Sequence, residues 1–451
     1  MFNPDELRKD PKYWETIRHD SLSKNEKSVY RMVDSVKNVP IFKTYQNIIY
    51  TLSSGFWDFH KFELGNLYSC YNNNPVEGDR VRLALATGTD FSKQVKVMGY
   101  GAYGFNDKQF KWGGKFQINL QRYPQRTILG GGYRQDIDVQ SANSEEQGQG
   151  SLLSGIFRRD IPQKLLYLDE SKIFLERWWT QGWSTRLTLL HYYMDPFDNS
   201  DGAGGGLNFF YIDKPSGEIR TNVRTTEIIF KARYAYGEKF IDNTFTRINL
   251  GTKYPRVSFQ YSAGLKGVIG SQYEYQKVSL ALDHWFYVGP LGWTSYHVKV
   301  GKTFGTLPYL LLEVPPGNET FMYAPENFSL MNRFEFASDF YGSLRLDHHF
   351  DGFFFNHIPL LRKLKLREVA TFRAYWGSLS AENQAANALN YVDKAHQQPL
   401  RAANGVPYME VGVGVENIFK FVQFHWMWRI NYLDNPEAPH FTPMLGLRFD
   451  F

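Results

Sequence analysis

The 451-residue chain carries a net charge of +5, one cysteine (Cys70) and 17% aromatic side chains on a mean hydropathy of −0.44. That charge is too small for this length to point to nucleic acid, though it suits an anionic lipid surface, and one cysteine excludes an internal disulfide. No run nears the roughly 18 apolar residues of a spanning helix, which excludes a helical membrane protein. Aromatic-rich yet polar on average is the composition expected of strands around a wet lumen.

Residues 1–58 differ from the rest of the chain. Ser23-Lys24-Asn25-Glu26 reads as a capping box, after which Val29, Met32, Val33 and Val36 fall on one helical stripe. Pro40 opens a second helical pattern, with Ile41, Tyr45, Ile48, Ile49 and Leu52 along one side. These stripes need cover, either in the mouth or lumen formed by the remaining residues or as a hairpin packed beside them.

From His60 the period changes to that of strands. They are predicted near 60–73, 78–88, 94–105, 109–120, 126–138, 170–180, 182–193, 224–236, 243–264, 273–286, 292–304, 338–350, 365–377, 406–418, 421–433 and 441–451, about sixteen in all. Pro255 is placed to split 243–264 in two. In the last stretch, Phe441, Leu445, Leu447, Phe449 and Phe451 alternate with Thr442, Met444, Gly446, Arg448 and Asp450. Alone, this pattern fits a sandwich strand as well as a barrel's closing strand.

Loop length separates the two. Connections after even-numbered strands are mostly short (121–125, 181, 287–291, 419–420), while several after odd-numbered strands are long and polar (139–169, 194–223, 305–337, 378–405). A barrel with one rim in the periplasm and one outside sorts its loops in this way; a sandwich does not. The expected fold is an all-β transmembrane antiparallel barrel over 59–451, behind a helical segment at 1–58, in a bacterial outer membrane. Since no signal peptide precedes the first strand, the sequence is expected to begin at a mature or trimmed end.

Faces follow from the period. Met409, Val411, Val413 and Val415 should meet lipid, with Glu410, Gly412, Gly414 and Glu416 inward. Phe424, Trp426, Trp428, Ile430 and Tyr432 should also meet lipid, with Gln423, His425, Arg429 and Asn431 inward. Trp178, Trp179, Trp183, Trp285, Trp293 and Trp376 stand near strand ends, where interface girdles belong.

From about Ser279 the order of parts resembles the barrel of the BamA and two-partner-secretion superfamily: strands, the long 305–337 loop, GSLRLDHHF, LREVATFRAYWGSL, MEVGVGVENI, then the closing strand. WETIRHDSLSKNEKSVYRMVDSV, FELGNLYSCYNNNPVEGDRVRLAL and FNHIPLLRKLKLREV are similar to a Bacteroidota outer-membrane family of uncharacterised function, whose members usually carry an upstream carboxypeptidase-regulatory-like domain. The superfamily resemblance implies that loop 305–337 folds into the lumen and sets an arginine against an acid on a later strand. Arg333 matches that arginine, but Phe334 stands at the glycine position, which implies a different turn. Arg373 stands at the acid's position, and two lumen arginines would repel unless Asp347, Asp351, Glu410 or Glu416 shields them. The implied role is assembly, insertion or export of polypeptides or lipoproteins, with lipid, lipopolysaccharide, client chains and periplasmic or lipoprotein factors as partners. The superfamily's periplasmic repeat domains are absent from these residues, which weakens an insertase role. A gated pore with loop 305–337 as its constriction is the alternative.

Blander readings cover the rest. Asp347, His349 and Asp351 share a strand face but stand about 7 Å apart along it, too wide for one ion, so they read as polar wall rather than a metal site. Ser295 and His297 share a face with no third group in sight; no catalytic residue, cofactor or enzymatic activity is expected. Gly202-Ala203-Gly204-Gly205-Gly206 is an outer loop without a phosphate-loop context, and Gly113-Gly114 and Gly130-Gly131-Gly132 mark bends or close approach. The cluster Phe353, Phe354, Phe355, Ile358, Leu360 and Leu361 suits the inner leaflet, a partner, or the amino-terminal helices.

Overall fold

Alternating side chains build the sheet strand by strand. The computed structural model describes residues 23–138, 159, 165–196, 211–393 and 398–448, save 42–43, 46–47, 49–50, 52–54, 66, 123–124, 181, 214–216, 390, 400, 404 and 437. Predicted features at 1–22, 202–206 and 449–451, the terminal aromatic among them, lie outside the described residues.

Helix α1 (Lys24–Asn38) starts on its capping box: the Ser23 hydroxyl accepts the Glu26 N–H at 3.3 Å, and the Glu26 carboxylate accepts the Ser23 N–H at 2.8 Å. Val29, Met32 and Val33 lie exposed among the described residues.

The strands are β1 (Trp57–Phe59), β2 (Phe62–Gly65), β3 (Tyr71–Asn74), β4 (Gly78–Thr87), β5 (Val95–Gly104), β6 (Phe110–Gln121), β7 (Thr127–Asp138), β8 (Leu166–Thr180), β9 (Trp183–Pro196), β10 (Val223–Ala235), β11 (Arg256–Gly264), β12 (Tyr275–Tyr287), β13 (Trp293–Phe304), β14 (Phe340–His349), β15 (Arg367–Ser378), β16 (Tyr408–Ile418), β17 (Val422–Arg429) and β18 (Phe441–Leu447). All eighteen join in one sheet, and from β4 on each pairs antiparallel with the next. The sixteen predicted ribbons become eighteen because 60–73 breaks at a 3-10 turn (Leu67–Ser69). β2 and β3 lie end to end along β4, and β1 folds back on β2.

Two predicted strands are shorter than expected. β11 begins only after Pro255, and the residues before it form an off-sheet hairpin, Lys239–Asp242 with Arg247–Gly251. That hairpin reaches back to β6, where Asn119 and Gln117 donate to the Thr244 and Phe245 carbonyls at 2.7 and 3.0 Å. β17 stops at Arg429. Tyr432 then takes a φ of 55° and sets its ring edge-on to Phe336 at 5.1 Å, so it faces the interior and not lipid.

Elsewhere the faces fall as the period requires. β16 buries Glu410, Gly412, Gly414 and Glu416 and turns its valines outward. Glycines let cross-strand rings lie flat on the wall: a side chain at Gly113 would strike the Tyr100 ring, and one at Gly130 the Phe174 ring. Outward, Leu83, Leu85, Val97, Ile173, Leu187, Phe230, Leu280, Val300, Val413 and Trp428 are exposed on strand after strand. A continuous belt of this kind needs a lipid cover, since soluble monomers rarely expose apolar patches beyond a few hundred Å².

The sheet curls round loop 305–337. Buried clusters shared with that loop draw on Leu166 of β8, Met194 of β9, Val223 of β10, Tyr275 of β12, Tyr341 of β14, Tyr375 of β15, Tyr408 of β16, Met427 of β17 and Met444 of β18. Laid flat, the run of eleven strands from β8 to β18 would span about 50 Å, too wide for one folded loop to pack against. The curled wall makes a barrel. Among the described residues, no ladder joins β18 to β1, β2 or β3.

Candidate functional site

Register sets a row of charge across the inner wall. His297, Arg345, Arg373, Glu410 and Arg429 stand opposite one another in turn on β13 to β17. Buried arginines side by side need acceptors, and the loop brings them. Arg373 donates through Nη1 to the carbonyls of Asn327 and Ala324, and through Nη2 to the Tyr323 hydroxyl at 2.7 Å. Its Nε lies 3.9 Å from Glu410, and both side chains are fully buried. Arg345 donates to the Glu326 carbonyl.

Glu410 works the other way. Its carboxylate accepts the Ser329 and Leu330 N–H groups at 2.6 and 2.9 Å, so the wall grips loop backbone on both donor and acceptor sides. Arg429 takes the loop's own acid, Nη2 to Glu335 Oε1 at 2.5 Å and Nη1 to Oε2 at 3.1 Å, with neither side chain solvated. Glu335 also accepts the Asn332 N–H at 3.0 Å and the Asn435 amide at 3.1 Å.

Tyr323 joins this row to the sheet's free edge. Its hydroxyl donates to Asp347 at 3.0 Å, and its ring stacks on His425 at 3.7 Å. Burial, outweighing the pull of Arg373, holds the phenol well above its ordinary range, so it stays a donor. The Tyr323 N–H donates to the Leu445 carbonyl at 2.7 Å, and the Leu445 N–H to the Phe321 carbonyl at 2.8 Å, which lays the loop along β18. Two short helices flank β15. Helix α2 (Pro359–Leu364) lies on the opposite rim, between β14 and β15. Helix α3 (Ala381–Ala386) clamps the start of the loop: Asn383 accepts the Leu307 N–H at 2.8 Å and Asn387 the Tyr309 N–H at 2.9 Å.

The predicted residues divide. Arg373, Asp347 and Glu410 meet at the loop. Arg333 lies in it, its N–H donating to Glu319 at 3.0 Å, while the fully buried loop-to-strand ion pair is Glu335 with Arg429, acid on the loop and arginine on the strand. This reverses the expected sense. Phe334 holds a φ of 56°, a region glycine enters without strain, and its buried ring sits edge-on to Tyr309 at 6.0 Å. Asp351 pairs with Arg367 at 3.2 Å on the rim, away from the loop. Glu416 pairs with His349 at 2.7 Å and Arg448 at 3.2 Å, also apart from it. Sequence reasoning missed Glu335, Tyr323, Asn383 and Asn387. Only the asparagines left a signal, a spacing of one helical turn. The assembled groups hold polypeptide backbone.

Residues 50–382 match the model of a family of unknown function, DUF5686, in its C-terminal domain. No curated protein matches the sequence. Among solved structures, BamA from Haemophilus ducreyi lacking POTRA domains 1-3 superposes with a TM-score of 0.47 at 9% identity, over 83% of this chain and 69% of that one. CdiB from Escherichia coli gives 0.44 at 10%, over 83% and 60%, so the chain spans under two thirds of CdiB. OccK3 of Pseudomonas aeruginosa gives 0.34 at 10%, over 86% and 90%.

Proposed function

The chain belongs to the DUF5686 family through its C-terminal domain, and from that premise we propose a bacterial outer-membrane barrel that takes part in assembling, inserting or exporting polypeptides or lipoproteins. It does so without chemistry of its own. Its belt sits in lipid and lipopolysaccharide, and its partners are client chains and the periplasmic or lipoprotein factors that deliver them.

The observation that carries this reading is the edge of β18. Leu445 spends its outer N–H and carbonyl on the chain's own Phe321 and Tyr323, and the outer edge of β2 is taken by the three residues of β1. A strand edge satisfied only by a short local segment is a template for an incoming strand. Met322 and Leu445 are partners in a parallel bridge, and backbones paired in this way run about 4.8 Å apart, inside the usual Cα separation of a disulfide. Met322→Cys with Leu445→Cys, in a Cys70→Ser background, should lose outer-membrane clients when oxidised and recover them with reductant. Full client levels under the oxidised lock would sink the reading.

A gated pore for small solutes is the second reading, supported by loop 305–337 lying inside the curled wall. Deleting 305–337 would then raise conductance in planar bilayers, while depletion of the protein would leave client levels unchanged.

A further inference from the structure

The connection between β14 and β15 is more than a turn. Residues 350–366 fold into a 3-10 turn (Phe355–His357) and then α2. They are firmly tied. The Phe355 N–H donates to the Glu368 carboxylate, the His357 ring bonds the Phe353 carbonyl at 2.7 Å, and Asn417 at the end of β16 donates to the Lys365 carbonyl at 2.7 Å. Yet Phe354, Ile358, Leu360 and Leu364 are left exposed, Leu360 to 67%. Leu360 and Leu364 lie one helical turn apart, on one face.

Cations accompany them. Arg362, Lys363 and Lys365 are exposed in the same short stretch, and the only acids between 350 and 368, Asp351 and Glu368, are taken by Arg367 and by the Phe355 N–H. The flanking turns continue the pattern, with Tyr287 and Leu291 before β13, and Phe419 (81% exposed), Lys420 and Phe421 after β16. Phe286, exposed at the end of β12 on the same face as Leu280, connects this arc to the apolar belt.

We propose that this arc of the rim is an interfacial anchor, with its leucines and phenylalanines in the acyl boundary and its lysines and arginines on anionic phospholipid headgroups. Continuity with the belt argues for lipid as the occupant. So does the rim itself, since short turns mark the periplasmic side, whose leaflet is phospholipid. Apolar side chains beside a basic cluster fit such a surface on both counts. The inference rests on the lipid cover of the belt and not on the handling of client chains.

The test uses the whole barrel in nanodiscs, with Leu360→Cys in a Cys70→Ser background carrying a bimane label. Brominated phosphatidylglycerol should quench the label more strongly than brominated phosphatidylcholine. Lys363→Gln or Lys365→Gln should each lower that preference roughly fivefold, with the heat-modifiable gel shift of the folded barrel unchanged. Quenching by aqueous iodide but by neither brominated lipid would overturn the proposal. Equal quenching by the two lipids would overturn its headgroup assignment.

Discussion

Glu335→Ala tests whether the loop is held by the ion pair it places on β17. The change removes two contacts from Arg429 and one each from Asn332 and Asn435. Arg429 is not stripped bare, because the carbonyls of Leu330, Asn431 and Tyr432 still accept from it at 3.3, 3.1 and 2.7 Å. The loss should therefore sit near the lower end of the range for breaking a buried pair, about 3 kcal/mol. That is about a hundredfold in the equilibrium for loop opening. Arg333 is the only lysine or arginine between 305 and 337, so trypsin cleavage there, followed by mass spectrometry on the folded barrel in detergent, reads the opening directly. Adding Arg429→Met should slow cleavage again, since replacing both partners is far milder than orphaning one. Wild-type cleavage rates in Glu335→Ala would refute the reasoning, and so would a double variant that opens as fast as the single.

Asn383→Ala leaves the buried Leu307 N–H without its acceptor and should cost about 1–3 kcal/mol in urea unfolding, with the loop's start exchanging first. Asp339 behaves as an acid-limb sensor. Burial pushes its carboxyl up, but hydrogen bonds from Ser380, Asn383 and Lys302 more than offset that and hold its folded value below the ordinary one. Its stabilising contribution is thus present above the unfolded value of about 4 and lost as pH falls through the folded one; Asp339→Asn should flatten that part of a stability–pH profile. Trp428→Arg places a charge on the exposed outward face and should cost about 2–4 kcal/mol in lipid if that face lies near mid-bilayer. An unchanged unfolding midpoint would move Trp428 to the interface.

The outward belt was legible because a period of two is strand geometry itself. Val411, Val413 and Trp426 could face only one way once Glu410 and His425 faced the other. The parity of loop lengths was legible for a similar reason, since it reports two unlike rims rather than any particular contact. The lock was not. Arg429 and Glu335 are 94 residues apart, and Arg373 is satisfied largely by carbonyls, which every residue has and no side-chain pattern marks. Matching Arg333 to the arginine that the resemblance implied led to the right loop but not to the ion pair's sense, since Arg373 rather than an acid stands at the strand position matched to its partner. Tyr432 misled because alternation was carried past Arg429, where the strand ends, to a residue whose own φ is positive.

Tyr323 ties the charged row to the edge of β18. Its phenol bridges Arg373 of the charged row and Asp347, two residues along β14 from that row, while its backbone N–H holds the Leu445 carbonyl at the edge of β18. Nothing else in 305–337 both touches that row through a side chain and pairs with β18 through its backbone among the described residues. Tyr323→Phe keeps the ring against His425 and deletes only the hydroxyl, a bond to charged groups on both sides and hence worth about 1.5–3 kcal/mol. If the two regions move together, the Leu445 amide, which donates to Phe321 and never touches the hydroxyl, should exchange with solvent roughly ten to a hundred times faster. Faster exchange at Ser329 and Leu330 with Leu445 unchanged would mean that the loop and the edge of β18 open independently. The strand capture proposed at β18 would then be uncoupled from the state of the lumen.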